Sequence, residues 1–183
     1  MIKDVSEKEK KKFYGKYRGT VANNLDPEQR GRIQAVVPDV FGIIPTSWAL
    51  PCMPIAGKQE GVFMVPQLGA GVWIEFEQGD SDYPIWTGGF WGSMAEVPVL
   101  ALTPPSPVIP FGQNILMQTT GQNTMVLSDS APTPLTGGIV LKSTSGASIV
   151  VNDSGIYIQN GKGASIIMAG PTVTINNGAL VIA

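Results

Sequence analysis

From Gly138 to the C-terminus a glycine returns about every eight residues, at Gly138, Gly146, Gly155, Gly163, Gly170 and Gly178. Between them lie short β-rich runs: Ile139-Val140-Leu141, Ser148-Ile149-Val150-Val151, Ile156-Tyr157-Ile158, Ile166-Ile167-Met168, Thr172-Val173-Thr174-Ile175 and Leu180-Val181-Ile182. A short fixed period of strand plus turn is the pattern of a β-solenoid. Each repeat supplies about two inward aliphatic side chains, alternating with Ser, Thr, Asn, Gln or Tyr. Fully buried, two such side chains contribute roughly 3–6 kcal/mol. Ordering eight backbone residues costs roughly 8–16 kcal/mol. A lone ribbon leaves those side chains half exposed and its edges unpaired, so it does not hold by itself. The repeat therefore requires partner chains, and a stiff needle wound from several copies meets that requirement. The inward set is Ile139, Leu141, Ile149, Val151, Ile156, Ile158, Val173 and Ile175, the expected core shared between chains.

Charge placement agrees with this reading. The 183 residues carry a formal net charge of −2 and no histidine. Beyond Gly112 the charged side chains are Asp129, Lys142, Asp153 and Lys162. A surface that poor in charge is sticky unless much of it is covered. The single Cys52 excludes an intrachain disulfide framework and is expected to be a small buried hydrophobe. No segment has the apolar length of a transmembrane helix. The Met1-Ile2-Lys3-Asp4 start lacks the apolar core of a secretory signal, so assembly in the cytoplasm is expected.

Three segments and a linker follow along the chain. Residues 1–12 are polar and end in a lysine run. There Ser6 and Glu9 offer a capping box, with a frayed solvated terminus as the alternative, and the lysines offer contacts for an acidic neighbour. Residues 13–97 read as all-β. Tyr17–Val21 is a strand, Asn23–Pro27 a turn, Gly31–Val37 a strand stopped by Pro38, Val72–Glu77 an alternating strand and Pro84–Gly89 a last short one. Five or so short strands in that length fit a small closed barrel, of which the OB-fold is the commonest. Trp73 and Phe76 fall on opposite faces of a central strand, one toward the core and one toward a neighbour. Residues 98–112, crowded with Pro98, Pro104, Pro105, Pro107 and Pro110, read as an extended connector. Residues 113–183 form the needle, interrupted by an excursion over Ser128–Pro134.

Catalytic chemistry finds little support. Imidazole triads and metal sites need histidine, and one cysteine cannot build a thiolate zinc site. Glu75 and Glu77 share one face of a strand, the solvent face. Asp80 and Asp82 flank Gly79, where hairpin chemistry competes with a calcium site and fits better. Gly69-Ala70-Gly71 lacks the helix and the Lys-Ser/Thr of a phosphate cradle. Trp48, Trp73, Trp86 and Trp91 offer stacking for a single strand, but acids outnumber bases across the barrel, so core or interface roles fit them better. No cofactor, metal or nucleic acid is expected.

The run Tyr17-Arg18-Gly19, Asp26-Pro27 and Gly31-Arg32-Ile33-Gln34-Ala35-Val36-Val37-Pro38 resembles the opening of the OB domain of phage baseplate spikes and VgrG proteins. Ser47-Trp48-Ala49, then Gly61 to Gly69, continue the resemblance, and Val72-Trp73-Ile74-Glu75-Phe76-Glu77-Gln78-Gly79-Asp80 with Pro84 and Gly88 is its most specific part. Leu141 to Ile149 looks like the same family's triple-stranded β-helix. The resemblance covers about residues 13–183. It implies an all-β chain, an OB-fold barrel followed by a trimeric, intertwined triple-stranded β-helix needle. The eight aliphatics above then become a trimer core.

The implied role is the central spike of a contractile injection machine: a phage tail, a type VI secretion system or an extracellular tail-like particle. Such a spike joins hub and tube proteins at its N-terminal side and pierces a target membrane. Two departures stand out: there is no room for a lysozyme domain between barrel and needle, and no histidine for an iron-bearing tip. The apolar Leu180-Val181-Ile182 end, without a polar capping repeat, is therefore the expected contact for a separate PAAR-type tip protein. A single-chain β-solenoid adhesin, or an acyltransferase-like solenoid, is the competing class. The latter generally uses a histidine and a six-residue period.

Overall fold

The computed structural model describes residues 11–102, 114–133 and 136–182. The chain divides into two compact units between Met94 and Ala95.

The first unit contains β1 (Tyr17–Asn23), β2 (Gln34–Val36), a helical turn α1 (Pro38–Phe41), β3 (Leu50–Pro51), a small ribbon of β4 (Ala56–Gly57) and β5 (Glu60–Gly61), β6 (Gly71–Phe76) and β7 (Pro84–Phe90). Five strands run in the order β2-β1-β6-β7-β3, antiparallel except where β3 meets β7. The two outer ends meet: the Ala49 amide donates to the Ile33 carbonyl at 2.7 Å, and the Ile33 amide donates back at 3.2 Å. The sheet is thereby closed into the five-stranded barrel expected of an OB-fold. Strict alternation on β6 explains the inside, since Val72, Ile74 and Phe76 are buried while Gly71, Trp73 and Glu75 face outward. Val21, Ile33, Ala35, Val37, Ala49 and Trp86 complete the core.

Asp26 builds the turn from β1 to β2. Its carboxylate accepts from the Glu28, Arg30 and Arg32 amides and from the Arg32 guanidinium, whose closest contact is 2.7 Å. The hydrogen bond from the Arg32 guanidinium is the main reason its pKa lies well below the usual carboxylate range, helped by the three amides. Trp86 donates its indole N–H to the Gly31 carbonyl at 3.0 Å, tying the same turn to the core.

The second unit begins with α2 (Val99–Leu102), one helical turn where an extended connector was expected. Pro98 precedes this turn and sits where the ring's fixed φ favours a helical start. The connector's Pro104, Pro105, Pro107 and Pro110, like residues 1–10 of the polar N-terminus, lie outside the described residues. Eight strands follow: β8 (Asn114–Gln118), β9 (Thr124–Thr133), β10 (Thr136–Lys142), β11 (Ser148–Asn152), β12 (Gly155–Gln159), β13 (Ser165–Ala169), β14 (Thr172–Ile175) and β15 (Leu180–Ile182). They pair in sequence order, every pair antiparallel.

A single chain thus meanders where the glycine period suggested coils of a solenoid. The turns decide this. Asn152 pairs with Gly155 and Ala169 with Thr172, leaving two-residue turns that reverse the chain at once. At the opposite margin the loops are longer, from Lys142 to Ser148 and from Gln159 to Ser165. Gly155 has φ +151°, and a Cβ there would collide with the Met168 carbonyl oxygen, so this hairpin accepts only glycine. The excursion expected after Ser128 appears as a register break: Ser128 pairs with Gly138, but Thr133 pairs with Thr136.

Cys52 corrects another expectation. It is exposed, because Ala49 is buried and alternation along the strand turns position 52 outward.

Candidate trimerisation surface

Register, rather than any one residue, defines the site. On β10, Ile139 and Leu141 sit opposite Leu127 and Met125 of β9 and opposite Val151 and Ile149 of β11. Ile149 and Val151 sit opposite Ile158 and Ile156 of β12, which face Ile166 and Met168 of β13. These in turn face Ile175 and Val173 of β14, then Leu180 and Ile182 of β15. At the other end Leu127 and Met125 face Ile115 and Met117 of β8. Two apolar residues per strand therefore form an unbroken band on one face, without a charged or hydrogen-bonding side chain in it. Ile115 is 69% exposed and Ile182 56%, and Ile139, Leu141, Ile149, Val151, Ile158 and Ile166 are all exposed as well.

The other face carries one apolar or aromatic residue on each of β8 to β13, Leu116, Val126, Val140, Val150, Tyr157 and Ile167, and Thr174 in the same row on β14. Val150 is 1% exposed there, and Val126 and Tyr157 are also buried. The Tyr157 hydroxyl reaches the Ser154 carbonyl at 3.1 Å, so its burial leaves no polar orphan. That row is thus buried or half-buried in the single chain, while most of the richer face lies open.

All eight residues expected to form a shared core, Ile139, Leu141, Ile149, Val151, Ile156, Ile158, Val173 and Ile175, lie in the open band. The sequence reading left out Ile115, Met117, Met125, Leu127, Ile166 and Met168, which extend it. Their signal was the same i, i+2 spacing of apolar residues, unaccompanied by the regular glycine in the first two strands. Leu180 and Ile182, expected at a tip contact, continue this band, and Val181 is registered with Thr174.

In the barrel, the tryptophans separate by role. Trp86 is core, whereas Trp73 lies outside against Phe90, ring centres 4.9 Å apart, with the Arg18 guanidinium over both rings. Trp48 lies under Arg32 and Trp91 is exposed. Glu75 pairs with Lys16 at 2.7 Å, and the Asp82 amide donates to Asp80 as in an Asx turn. Among the described residues no group of three or more acids, cysteines or histidines is placed to hold a metal ion. No helix among them is long and apolar enough to cross a membrane.

A closed five-stranded barrel and a meander with an open apolar face make a two-part protein whose second part offers a surface for self-association. Comparison with known families gives the same division. Residues 17–91 match the type VI secretion system/phage-baseplate injector OB domain, and residues 114–181 match the phage baseplate V C-terminal trimerisation domain. The chain belongs to the phage baseplate V family. No curated protein matches it.

Proposed function

We propose that the protein is the central spike of a contractile injection machine, a homotrimer in which three meanders pack their apolar bands around one axis as a triple-stranded needle. The observation that carries this reading is the band itself, sixteen apolar positions in register on one face. Packing of the exposed remainder of such side chains contributes roughly 1 kcal/mol each. Family membership supports a component of a phage tail or tail-like particle with a structural role, and a domain described by its trimerisation supports three copies.

On this reading the barrel side meets the hub and tube proteins, and the needle leads toward the target membrane. The β15 end receives a PAAR-type tip at Leu180, Val181 and Ile182. Packing of three bands around one axis also accounts for the absence of charge in the band, because a charge there would meet two copies of itself near the axis.

Deletion of the gene from a strain that makes contractile particles tests the role. Assembled, contractile particles should vanish from electron micrographs and return with the parent chain but not with Ile156→Asp. Normal particles in the deletion strain would overturn the reading. The tip contact has its own test. A charged replacement at Val181, which is registered with Thr174 and lies off the band, should leave the trimer intact and lose a co-expressed tip protein in a pull-down; undiminished capture would remove that part.

A further inference from the structure

The four charged residues beyond Gly112 are sorted by the meander in a way the sequence does not show. Successive strands reverse, so the sheet has two lateral margins made of turns and strand ends. Lys142 closes β10 at the margin of the long loops, and Lys162 lies in the loop from Gln159 to Ser165 at that same margin. Asp129 follows Ser128 toward the opposite margin, and Asp153 occupies the two-residue turn between β11 and β12 there. One margin is therefore basic and the other acidic. All four side chains are exposed, and among the described residues none has an ion-pair partner within the chain.

Spacing adds a second regularity. From Lys142 on β10 to Lys162 beyond β12 is two to two and a half strands. From Asp129 on β9 to Asp153 beyond β11 is the same step. At about 4.8 Å per strand, each pair is separated by roughly 10–12 Å along the sheet, and the acidic series is offset from the basic one by about one strand. Three sheets closed into a ring by three-fold rotation place unlike margins together, because rotational contacts of this kind are heterologous.

We infer that the basic margin of each protomer docks on the acidic margin of the next, Lys142 against Asp129 and Lys162 against Asp153 of a second copy. Three-fold rotation adds no translation along the axis, so each pair bridges the offset of about one strand, roughly 5 Å, which a lysine side chain spans. Only this assignment pairs all four charges; setting Lys142 against Asp153 leaves Lys162 and Asp129 without partners. The inference rests on the trimeric reading and adds to it the contact that chooses which margins meet, since exposed ion pairs select between arrangements more than they stabilise any of them. A band of interchangeable aliphatics does not by itself specify which margins meet or how they are oriented, and these charges do.

The test uses the full chain and charge reversals that leave net charge unchanged. Mass in solution first establishes whether the parent is trimeric, which decides the underlying reading. The matched pair Lys142→Glu with Asp129→Lys recreates complementarity and should give trimers with the parent's yield and heat resistance. The mismatched pair Lys142→Glu with Asp153→Lys sets like charges together at both contacts. It should lower the trimer fraction several-fold at low salt, and high salt should restore it. Carbodiimide coupling of the parent should also join peptides containing Lys142 and Asp129, which stand at opposite margins within one chain. Trimers in which matched and mismatched variants behave alike, or in which Lys142 couples to Asp153, would overturn the pairing while leaving the trimer in place. A monomeric parent would remove both.

Discussion

Ile33, Ala35, Val37, Ala49, Val72 and Ile74 of the barrel are sealed from water by their own chain, while the meander leaves Ile115, Ile139, Leu180 and Ile182 open. Both units use short strands with alternating apolar residues, so composition does not separate them. Closure does. In the barrel the Ile33–Ala49 bridge returns the sheet to its first strands, and one face becomes an inside. The meander only adds strands in order, so its richer face has no inside until other chains provide one. The barrel's stability is consequently a property of one chain, and the meander's is tied to assembly and to concentration.

The largest effect should come from breaking the open face alone. Ile156→Asp or Ile158→Asp places one carboxylate per chain near a common axis, at several kcal/mol of effective desolvation cost per ion. Trimers should be lost in sedimentation. All four tryptophans lie before Met94, so their fluorescence reports the barrel and should be unchanged. A variant that sediments and melts like the parent would undo the contrast.

The reciprocal change is Ile74→Ala in the barrel, which should cost about 2–5 kcal/mol of barrel stability by denaturant titration followed by fluorescence. The needle's oligomeric state should persist. Simultaneous loss of both would show the two units to be coupled in a way their separate cores do not suggest.

A smaller effect concerns acid. Asp26 has its pKa lowered in the folded barrel, chiefly by the Arg32 hydrogen bond. A lowered value means that its contribution is complete above the unfolded value of about 3.9 and is lost as pH falls from there toward the folded value. The fluorescence-monitored barrel midpoint should therefore decline below about pH 4. Asp26→Asn should lower stability at neutral pH and flatten that decline; an unchanged acid limb would remove the turn network from the account. Smallest of all, Arg18→Ala should cost about 0.5–1 kcal/mol, the scale of an exposed cation–π contact. A soluble quencher should reach Trp91 and not Trp86 when each is kept as the sole tryptophan.

Much of the barrel was legible because its strands alternate cleanly. Val72 to Phe76 could be assigned face by face, and Asp26-Pro27 with Gly31 marked the turn that the structure builds around the Asp26 carboxylate. Less legible was whatever depends on partners distant in sequence. Cys52 reads as buried by residue type, and only its place after Ala49 turns it outward. The eight-residue glycine period is the same for a coil and for a meander, because period counts residues and not direction. Direction is set at Asp153-Ser154 and Gly170-Pro171, where two residues suffice to reverse the chain. The residues expected in a shared core fall in the open band because of their spacing, yet Ile115 to Leu127 were left out of that set because weaker glycine punctuation hid the same alternation.

The central claim is that the open band is covered by two further copies of the chain. Sedimentation equilibrium of the full-length protein over a wide concentration range tests it most directly. The account predicts a mass three times the 19.4 kDa of one chain, persisting on dilution. A single-chain mass at every concentration, with the C-terminal strands still folded, would contradict it.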